Sequence, residues 1–213
     1  MRIGCFAVLC LLLALPGWAS VLFSDGPIDG FTDAFFIGGP SGGPSNQTIS
    51  DGFVAAGTGT ADGLDFGLWV PTGSTPTTVS WEIGTSAFAS DISSGFDLQV
   101  GYTFVENNGF GYDVYNAHVD GLSGALVAGN TYYLTLGNGN DTFGDQSVAW
   151  DLNSGPATCS FAQNGTPYGD CGFGGEAFTI YSAAAPGVPE PASLVLFGSG
   201  LLLLGGLLRR KLG

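Results

Sequence analysis

The chain has 213 residues, with 18 Asp and Glu against 4 Lys and Arg, and a formal net charge of −14 at pH 7. Residues 20–187 hold 17 of those carboxylates, no Lys or Arg, and one basic side chain, His118. Each carboxylate there must therefore be hydrated, hydrogen-bonded to a neutral donor or bound to a cation. A field of this sign repels phosphate and offers no cations for counterion release, which excludes nucleic acid as a partner.

Residues 1–19 have the layout of a secretory signal peptide. A single cation, Arg2, precedes an apolar stretch at residues 6–15, and helix-breaking and small residues lead up to Ala19. The apolar stretch is too short for a stable membrane span. We therefore expect cleavage after Ala19 and export of the remainder.

Alternation of apolar and polar residues with a period of two recurs between residues 20 and 181 and predicts strands with one buried face. The longer predicted strands are 64–70, 79–83, 98–104, 132–136, 148–152 and 178–180, with shorter ones at 34–37, 49–55 and 112–119. Turn-forming residues follow each run, and no amphipathic helical pattern of useful length occurs. Roughly eight to ten short strands predict an all-β, antiparallel β-sandwich with jelly-roll-like connections.

Cys159 and Cys171 are the two cysteines left after loss of the signal peptide. The compartment is oxidising and the intervening segment is rich in turn formers, so we expect a disulfide that stabilises the fold by roughly 2–4 kcal/mol. A zinc site or a Cys/His catalytic pair needs more ligands than a chain with one His supplies. We expect no cofactor and no such metal site.

The C-terminal segment combines three features in a fixed order. They are the triplet Pro189, Glu190 and Pro191, an uncharged apolar run at residues 192–208, and the cations Arg209, Arg210 and Lys211. At about 1.5 Å per residue, a 17-residue helix covers about 25 Å of an apolar core near 30 Å thick, enough to span it with slight adjustment. Cations on one side alone place the C-terminus in the cytoplasm and the preceding domain outside.

This ordered triplet, helix and basic cluster resembles the PEP-CTERM protein-sorting domain of Gram-negative bacteria, over residues 187–211. The resemblance implies an exosortase as partner, an integral membrane enzyme that cuts near the motif and releases or transfers the passenger. The protein would be anchored in the bacterial membrane first and reach the cell envelope or extracellular space after processing. The alternative is that the triplet only starts a helix, since Pro suits the first helical position and a carboxylate suits the helix N-terminus.

The expected organisation has four parts. They are a signal peptide at 1–19, a β-sandwich passenger at 20–181, a linker at 182–188 and the sorting signal at 189–211, which contains the transmembrane helix 192–208. For the passenger we expect a non-enzymatic structural or adhesive role in secreted polysaccharide. One alternative is a carbohydrate-binding module, in which Trp69, on the face opposite the apolar one, is exposed to stack on sugar. The other is a glycoside-active enzyme, although the sequence places no two carboxylates at the required separation.

Two acidic, Gly-rich tracts are candidates for structural calcium, which takes six to eight oxygen ligands. One tract contains Asp51, Asp62 and Asp65, and the other contains Asp141, Asp145 and Asp151. Neither matches the spacing of an EF-hand, so solvated loop carboxylates are the simpler interpretation. His118 is expected at a sheet edge and not as a catalytic base.

Overall fold

The alternating segments form strands throughout the part of the chain that the computed structural model describes, which is residues 19–38, 47–144, 147–153, 158–163, 166–170 and 174–183. Within these ranges the strands are β1 (Val21–Asp25), β2 (Asp33–Phe36), β3 (Gln47–Val54), β4 (Gly59–Pro71), β5 (Pro76–Gly84), β6 (Ser93–Gln99), β7 (Gly101–Asn107), β8 (Tyr112–Asp120), β9 (Ala125–Leu126), β10 (Thr131–Asp141), β11 (Ala149–Leu152), β12 (Thr158–Gln163), β13 (Thr166–Asp170) and β14 (Phe178–Ser182). No helix occurs in them. The all-β prediction is confirmed.

The strands form two antiparallel sheets. Sheet 1 is organised around β4, which pairs with β8 along one edge and with β14 and then β11 along the other. In this sheet β1 extends β14, β2 extends β11 and β7 extends β8. Sheet 2 has the order β13–β12–β3–β10–β5–β6.

The strand order contains a jelly roll. Eight strands give β2–β11–β4–β8 in sheet 1 and β3–β10–β5–β6 in sheet 2, and the chain crosses between sheets at nearly every step from β2 to β11. That is the double-sheet arrangement of a jelly roll. The jelly-roll-like prediction is confirmed, with β1, β7, β9, β12, β13 and β14 as additions to it; the short β9 pairs with the start of β4.

The main core lies between the two sheets and follows the predicted alternation. Leu64, Phe66 and Leu68 of β4 are buried in one cluster with residues from β3, β5 and β10. Trp81 and Trp150 are fully buried in the same cluster. Burying each such side chain stabilises the fold by about 1.5–3 kcal/mol.

The predicted strand 98–104 is wrong in one respect, because the chain changes sheets in its middle. Val100 is buried and joins β6 at the edge of sheet 2 to β7 at the edge of sheet 1. Leu98 and Phe104, expected inside, are 38% and 54% exposed. The turn-rich segment between the two cysteines forms the hairpin β12–β13, which alternation did not reveal.

The compact unit spans Ala19–Ala183. The signal peptide, the triplet 189–191, the apolar run 192–208 and the cations 209–211 lie outside the described residues. Inside them, no helix is long and apolar enough to cross a membrane. Cys171 also lies outside, so the disulfide stays a prediction, although Ser160 and Asp170, the residues adjacent in sequence to the two cysteines, pair directly in the hairpin.

Candidate functional site

The outer face of sheet 2 carries a cleft of about 200 Å³, which we call the sheet 2 cleft. Hydroxyl, amide and carboxylate side chains line it: Thr48, Ser80, Glu82, Ser94, Thr135 and Asn138. They come from the four jelly-roll strands β3, β10, β5 and β6. With neighbouring strands about 4.8 Å apart, the cleft reaches roughly 14 Å across the sheet.

The polar floor of the cleft follows from the same alternation that builds the core. Trp81 on β5 and Leu134 on β10 point inward, so the residues beside them point outward. Ser80 and Glu82 flank Trp81, and Thr135 follows Leu134. Thr135 and Glu82 also lie directly opposite one another in the β10–β5 register. Neighbouring outward positions therefore bring these polar groups onto one surface.

Two aromatic rings complete the cleft. Phe96 on β6 is 71% exposed, and Phe88, on the loop between β5 and β6, is half-buried. Ligand sites commonly combine apolar or aromatic walls with a few oriented polar groups, and the sheet 2 cleft has both.

The β5–β6 loop holds Phe88 over the sheet through specific hydrogen bonds. The backbone N–H and hydroxyl of Thr85 donate to the two carboxylate oxygens of Asp91, at 2.9 and 2.8 Å, and close the loop at its base. The backbone N–H of Phe88 donates to Ser50 Oγ, at 3.3 Å, on the outer face of β3. The loop is therefore fixed to the sheet before any ligand arrives.

Backbone strain concentrates around this cleft. Within the described ranges the non-glycine residues with positive φ are Phe88 (62°), Asp97 (47°) and Asn138 (52°). Ser80 Oγ joins two of them, accepting from Asp97 N at 3.0 Å and from Asn138 Nδ2 at 3.0 Å. Such conformations cost on the order of 1–3 kcal/mol each and cluster at binding and catalytic sites.

Several polar groups in the cleft have no partner among the residues that the structure describes. The side chains of Thr48, Glu82 and Ser94 line the cleft and make no hydrogen bond there. Burial raises the pKa of Glu82 above its ordinary value of 4.5, because desolvation disfavours the charged carboxylate. These groups are free to bind a ligand rich in hydrogen-bonding groups.

Trp69 points away from the main core, as alternation predicts, but the expectation that it is exposed is wrong. It is only 7% exposed, because Ile28 and Phe36 from the N-terminal segment pack with it on the outer face of sheet 1. Its indole Nε1 donates to Asp151 Oδ1 at 2.5 Å. Trp69 is therefore part of a second, smaller core.

Asp151 fastens that N-terminal segment to sheet 1. Besides the indole, its carboxylate accepts from the backbone N–H groups of Asp29 at 3.0 Å and Gly30 at 3.1 Å. Burial raises the pKa of Asp151 to about 7, outweighing the hydrogen bonds, which lower it. This is the neutral-donor arrangement that the absence of Lys and Arg requires.

A second group of buried carboxyls includes Asp51 and Glu176, both with no exposed surface. Asp51 Oδ2 accepts from the backbone N–H of Glu176 at 2.6 Å. Burial, with the nearby charge of Asp25, raises the pKa of Asp51 to about 7, and burial with neighbouring acids raises that of Glu176 well above 4.5. Sequence reasoning did not predict this burial. The sequence did contain a signal for it. Asp51 lies two residues after Ile49 in β3, so both side chains face the interior.

The two acidic tracts do not assemble into calcium sites among the described residues. In the first tract, Asp62 is exposed and Asp65 faces His118 on the outer side of sheet 1. In the second, Asp141 accepts from backbone N–H groups of its own turn, and Asp145 lies outside the described ranges. Across those ranges, no group of three or more His, Cys, Asp or Glu side chains is arranged to hold a metal ion.

His118 lies in β8 between β4 and β7, so its predicted place at a sheet edge is wrong. Its Nδ1 contacts Asp65, and its Nε2 lies 2.8 Å from Asp120 Oδ1. Tyr181 donates to the other oxygen of Asp65 at 3.0 Å. Burial lowers the pKa of His118, but the two carboxylates outweigh it and the net pKa is raised. Both ring nitrogens are therefore engaged, Nδ1 with Asp65 on the neighbouring strand β4 and Nε2 with Asp120 at the end of β8 itself.

The fold and its site define a jelly-roll β-sandwich with a polar, aromatic-lined cleft on one outer face. A family model described as the PEP-CTERM protein-sorting motif matches residues 187–211. The chain carries this sorting motif at its C-terminus, as its sequence predicts, and the motif implies an exported protein that an exosortase processes at the membrane. No curated protein sequence matches the chain.

Proposed function

We propose that this is a non-enzymatic protein of the cell envelope or extracellular matrix whose β-sandwich adheres to secreted polysaccharide. The observation that carries the proposal is the sheet 2 cleft, in which two Phe rings lie with hydroxyl, amide and carboxylate groups. A pyranose ring presents C–H faces that pack on aromatic rings and a rim of hydroxyls that hydrogen-bond to polar groups. The cleft offers partners for both.

Delivery of this cleft to the polysaccharide follows from the sorting motif. In the proposal, residues 192–208 hold the exported precursor in the membrane, and exosortase acts near 189–191 to release or transfer the sandwich. The strong negative charge then keeps the passenger soluble and away from anionic surfaces. In the proposal the whole sandwich lies outside the cytoplasm, because the domain precedes the span and the cations follow it.

The composition of the cleft supports binding more than hydrolysis. Glycosidases use a pair of carboxyl groups placed on either side of the scissile bond. Glu82 is the one carboxylate that lines the described cleft, and Asp97 is hydrogen-bonded to Ser80 nearby. A single carboxylate beside hydroxyls and aromatic rings suits a ligand that is held without being cleaved.

The test is sedimentation of the full-length chain, in a non-ionic detergent, with insoluble cellulose, insoluble chitin and the exopolysaccharide of the host. Phe96→Ala should weaken binding at least about tenfold, since an aromatic side chain buried by a ligand contributes roughly 1.5–3 kcal/mol. Phe143→Ala is the matched control, because Phe143 is similarly exposed, at 60%, and does not line the cleft. Equal binding by wild type and Phe96→Ala, or equal loss in both variants, would contradict the proposal.

A further inference from the structure

The charge distribution around the sheet 2 cleft points to a particular class of sugar. Glu82 places a carboxylate in the cleft, and it has no hydrogen-bond partner among the described residues. Residues 20–187 contain no Lys or Arg to neutralise it, whatever the position of the remaining loops. The counter-charge for Glu82 must therefore come from solvent or from the ligand.

We propose that the sheet 2 cleft selects polysaccharides that contain amino sugars with a free ammonium group, and that Glu82 is the residue that determines this specificity. The inference rests on the proposed polysaccharide-binding function and adds the chemical class of the ligand. An ammonium group donates up to three charge-assisted hydrogen bonds, which are about twice as strong as neutral ones. Glu82 accepts no side-chain hydrogen bond from the other residues of the described cleft.

The surroundings of Glu82 strengthen this preference. Its side chain is half-buried, so its charge is poorly screened by water, and desolvation raises its pKa. A second carboxylate, that of Asp97 on β6, lies beside the cleft, where it is hydrogen-bonded to Ser80. Both charges attract a cation and repel a uronate, since like charges brought together in a partly desolvated site are strongly unfavourable.

The strained backbone explains how Phe88 and Asn138 remain positioned at the cleft for such a ligand. Phe88 is held by Ser50, and Asn138 by Ser80, each with positive φ. A site that is already ordered loses little conformational freedom on binding, so more of the interaction free energy appears as affinity. The rings then contact the apolar face of the sugar, and the ammonium group meets Glu82.

Two soluble hexamers with the same glucosamine backbone test the inference. Isothermal titration of the full-length chain in detergent compares the fully deacetylated hexamer with the fully N-acetylated one, which lacks the ammonium groups. We expect the wild type to bind the deacetylated hexamer at least about tenfold more tightly, as one hydrogen bond to a charged group implies. Glu82→Gln, which keeps the shape and an acceptor oxygen, should remove most of that difference.

The control distinguishes the cleft from the general negative charge of the protein. Glu106→Gln makes the same chemical change at an exposed carboxylate of β7, which does not line the cleft. It should leave the tenfold preference intact. An equal loss in both Gln variants, or a preference that survives Glu82→Gln, would show attraction by overall charge and would overturn the inference.

The remaining outcomes separate this inference from the proposed function. Equal affinity of the wild type for both hexamers, lost in Phe96→Ala, would overturn the selectivity and leave polysaccharide binding standing. No binding of either hexamer by the wild type overturns the selectivity, and no sedimentation with any polysaccharide overturns the proposed function as well. Melting temperatures of both Gln variants verify that they are folded.

Discussion

Raising the pH from 5 to 8 should destabilise the β-sandwich. Carboxylates in salt bridges normally have the opposite effect, because their lowered pKa values make stability rise with pH. Asp51 and Asp151 are fully buried, and burial raises the pKa of each to about 7. Between the ordinary value of 3.8 and 7, the folded state keeps a proton that the unfolded state has lost. Stability therefore falls as the pH rises through this interval and levels off above it.

The magnitude follows from the same values. A carboxyl whose pKa rises from 3.8 to about 7 contributes on the order of 4 kcal/mol across the interval. The groups facing Asp51 are Asp25 and Glu176, and Asp29 faces Asp151, so no cation offsets the effect. The free energy of unfolding at pH 5 should exceed that at pH 8 by several kcal/mol, a large part of the stability of a typical domain.

Other titrating groups set the limits of this prediction. The pKa of His118 is raised above 6.5, so its contribution is present below that value and is lost as the pH rises, in the same direction. Partial burial raises the pKa of Asp29, but hydrogen bonds from the Thr32 side chain and nearby backbone N–H groups outweigh it and hold the pKa below 3.8. The stability that Asp29 contributes is therefore lost as the pH falls through its lowered pKa. For these groups the greatest stability is therefore expected near the ordinary Asp value of 3.8, where the folded state still keeps the protons of Asp51 and Asp151 and Asp29 is still ionised.

The assay is urea unfolding of residues 19–183, followed by the fluorescence of the buried Trp81 and Trp150. Asp51→Asn serves as the matched variant, because its amide oxygen can still accept from Glu176 N while it cannot ionise. It should reduce the pH dependence without abolishing it, since Asp151 and Glu176 also keep protons in the folded state that the unfolded state loses. Equal stability at pH 5 and pH 8, or greater stability at pH 8, would show that the buried carboxyls do not keep their protons in the folded state.

Three further predictions concern other parts of the chain. The unfolded mature protein should contain no titratable thiol, and reduction of the Cys159–Cys171 bond should lower stability by roughly 2–4 kcal/mol; two free thiols without reductant would rule the bond out. Trp69→Phe should cost about 1–3 kcal/mol in urea unfolding, since it removes a donor to the buried Asp151, and no change would contradict the role given to that bond. Glu190→Ala should leave membrane insertion unaltered but abolish exosortase-dependent loss of mass, whereas continued processing would mean that the triplet is only a helix start.

Local alternation was sufficient to predict the interior of the sandwich. The inward residues of 64–70, 79–83 and 132–136 are buried as expected, because a period of two determines which side of a strand each residue occupies. Alternation does not reveal when a strand ends and the chain changes sheets. Residues 98–104 continue the pattern through Val100, yet the side chains beyond it face solvent in β7.

The candidate site was predictable only in part. The outward positions of β5 and β10 place Ser80, Glu82 and Thr135 on one face, which the alternation already implies. The contact of Phe88 with Ser50 joins residues 38 apart in sequence, and no local pattern encodes it. The burial of Trp69 also depends on residues distant in sequence, because Ile28 and Phe36 cover it.

A residue-resolved map of ligand binding on residues 19–183 tests most directly whether the sheet 2 cleft binds polysaccharide. Backbone amide chemical shifts in ¹H–¹⁵N spectra would be recorded during titration with oligosaccharides released from the host's own matrix. The largest shifts should occur at residues of the sheet 2 cleft, namely Ser80, Glu82, Ser94, Phe96 and Asn138. Shifts confined to the outer face of sheet 1, or none at saturating oligosaccharide, would contradict binding at that cleft.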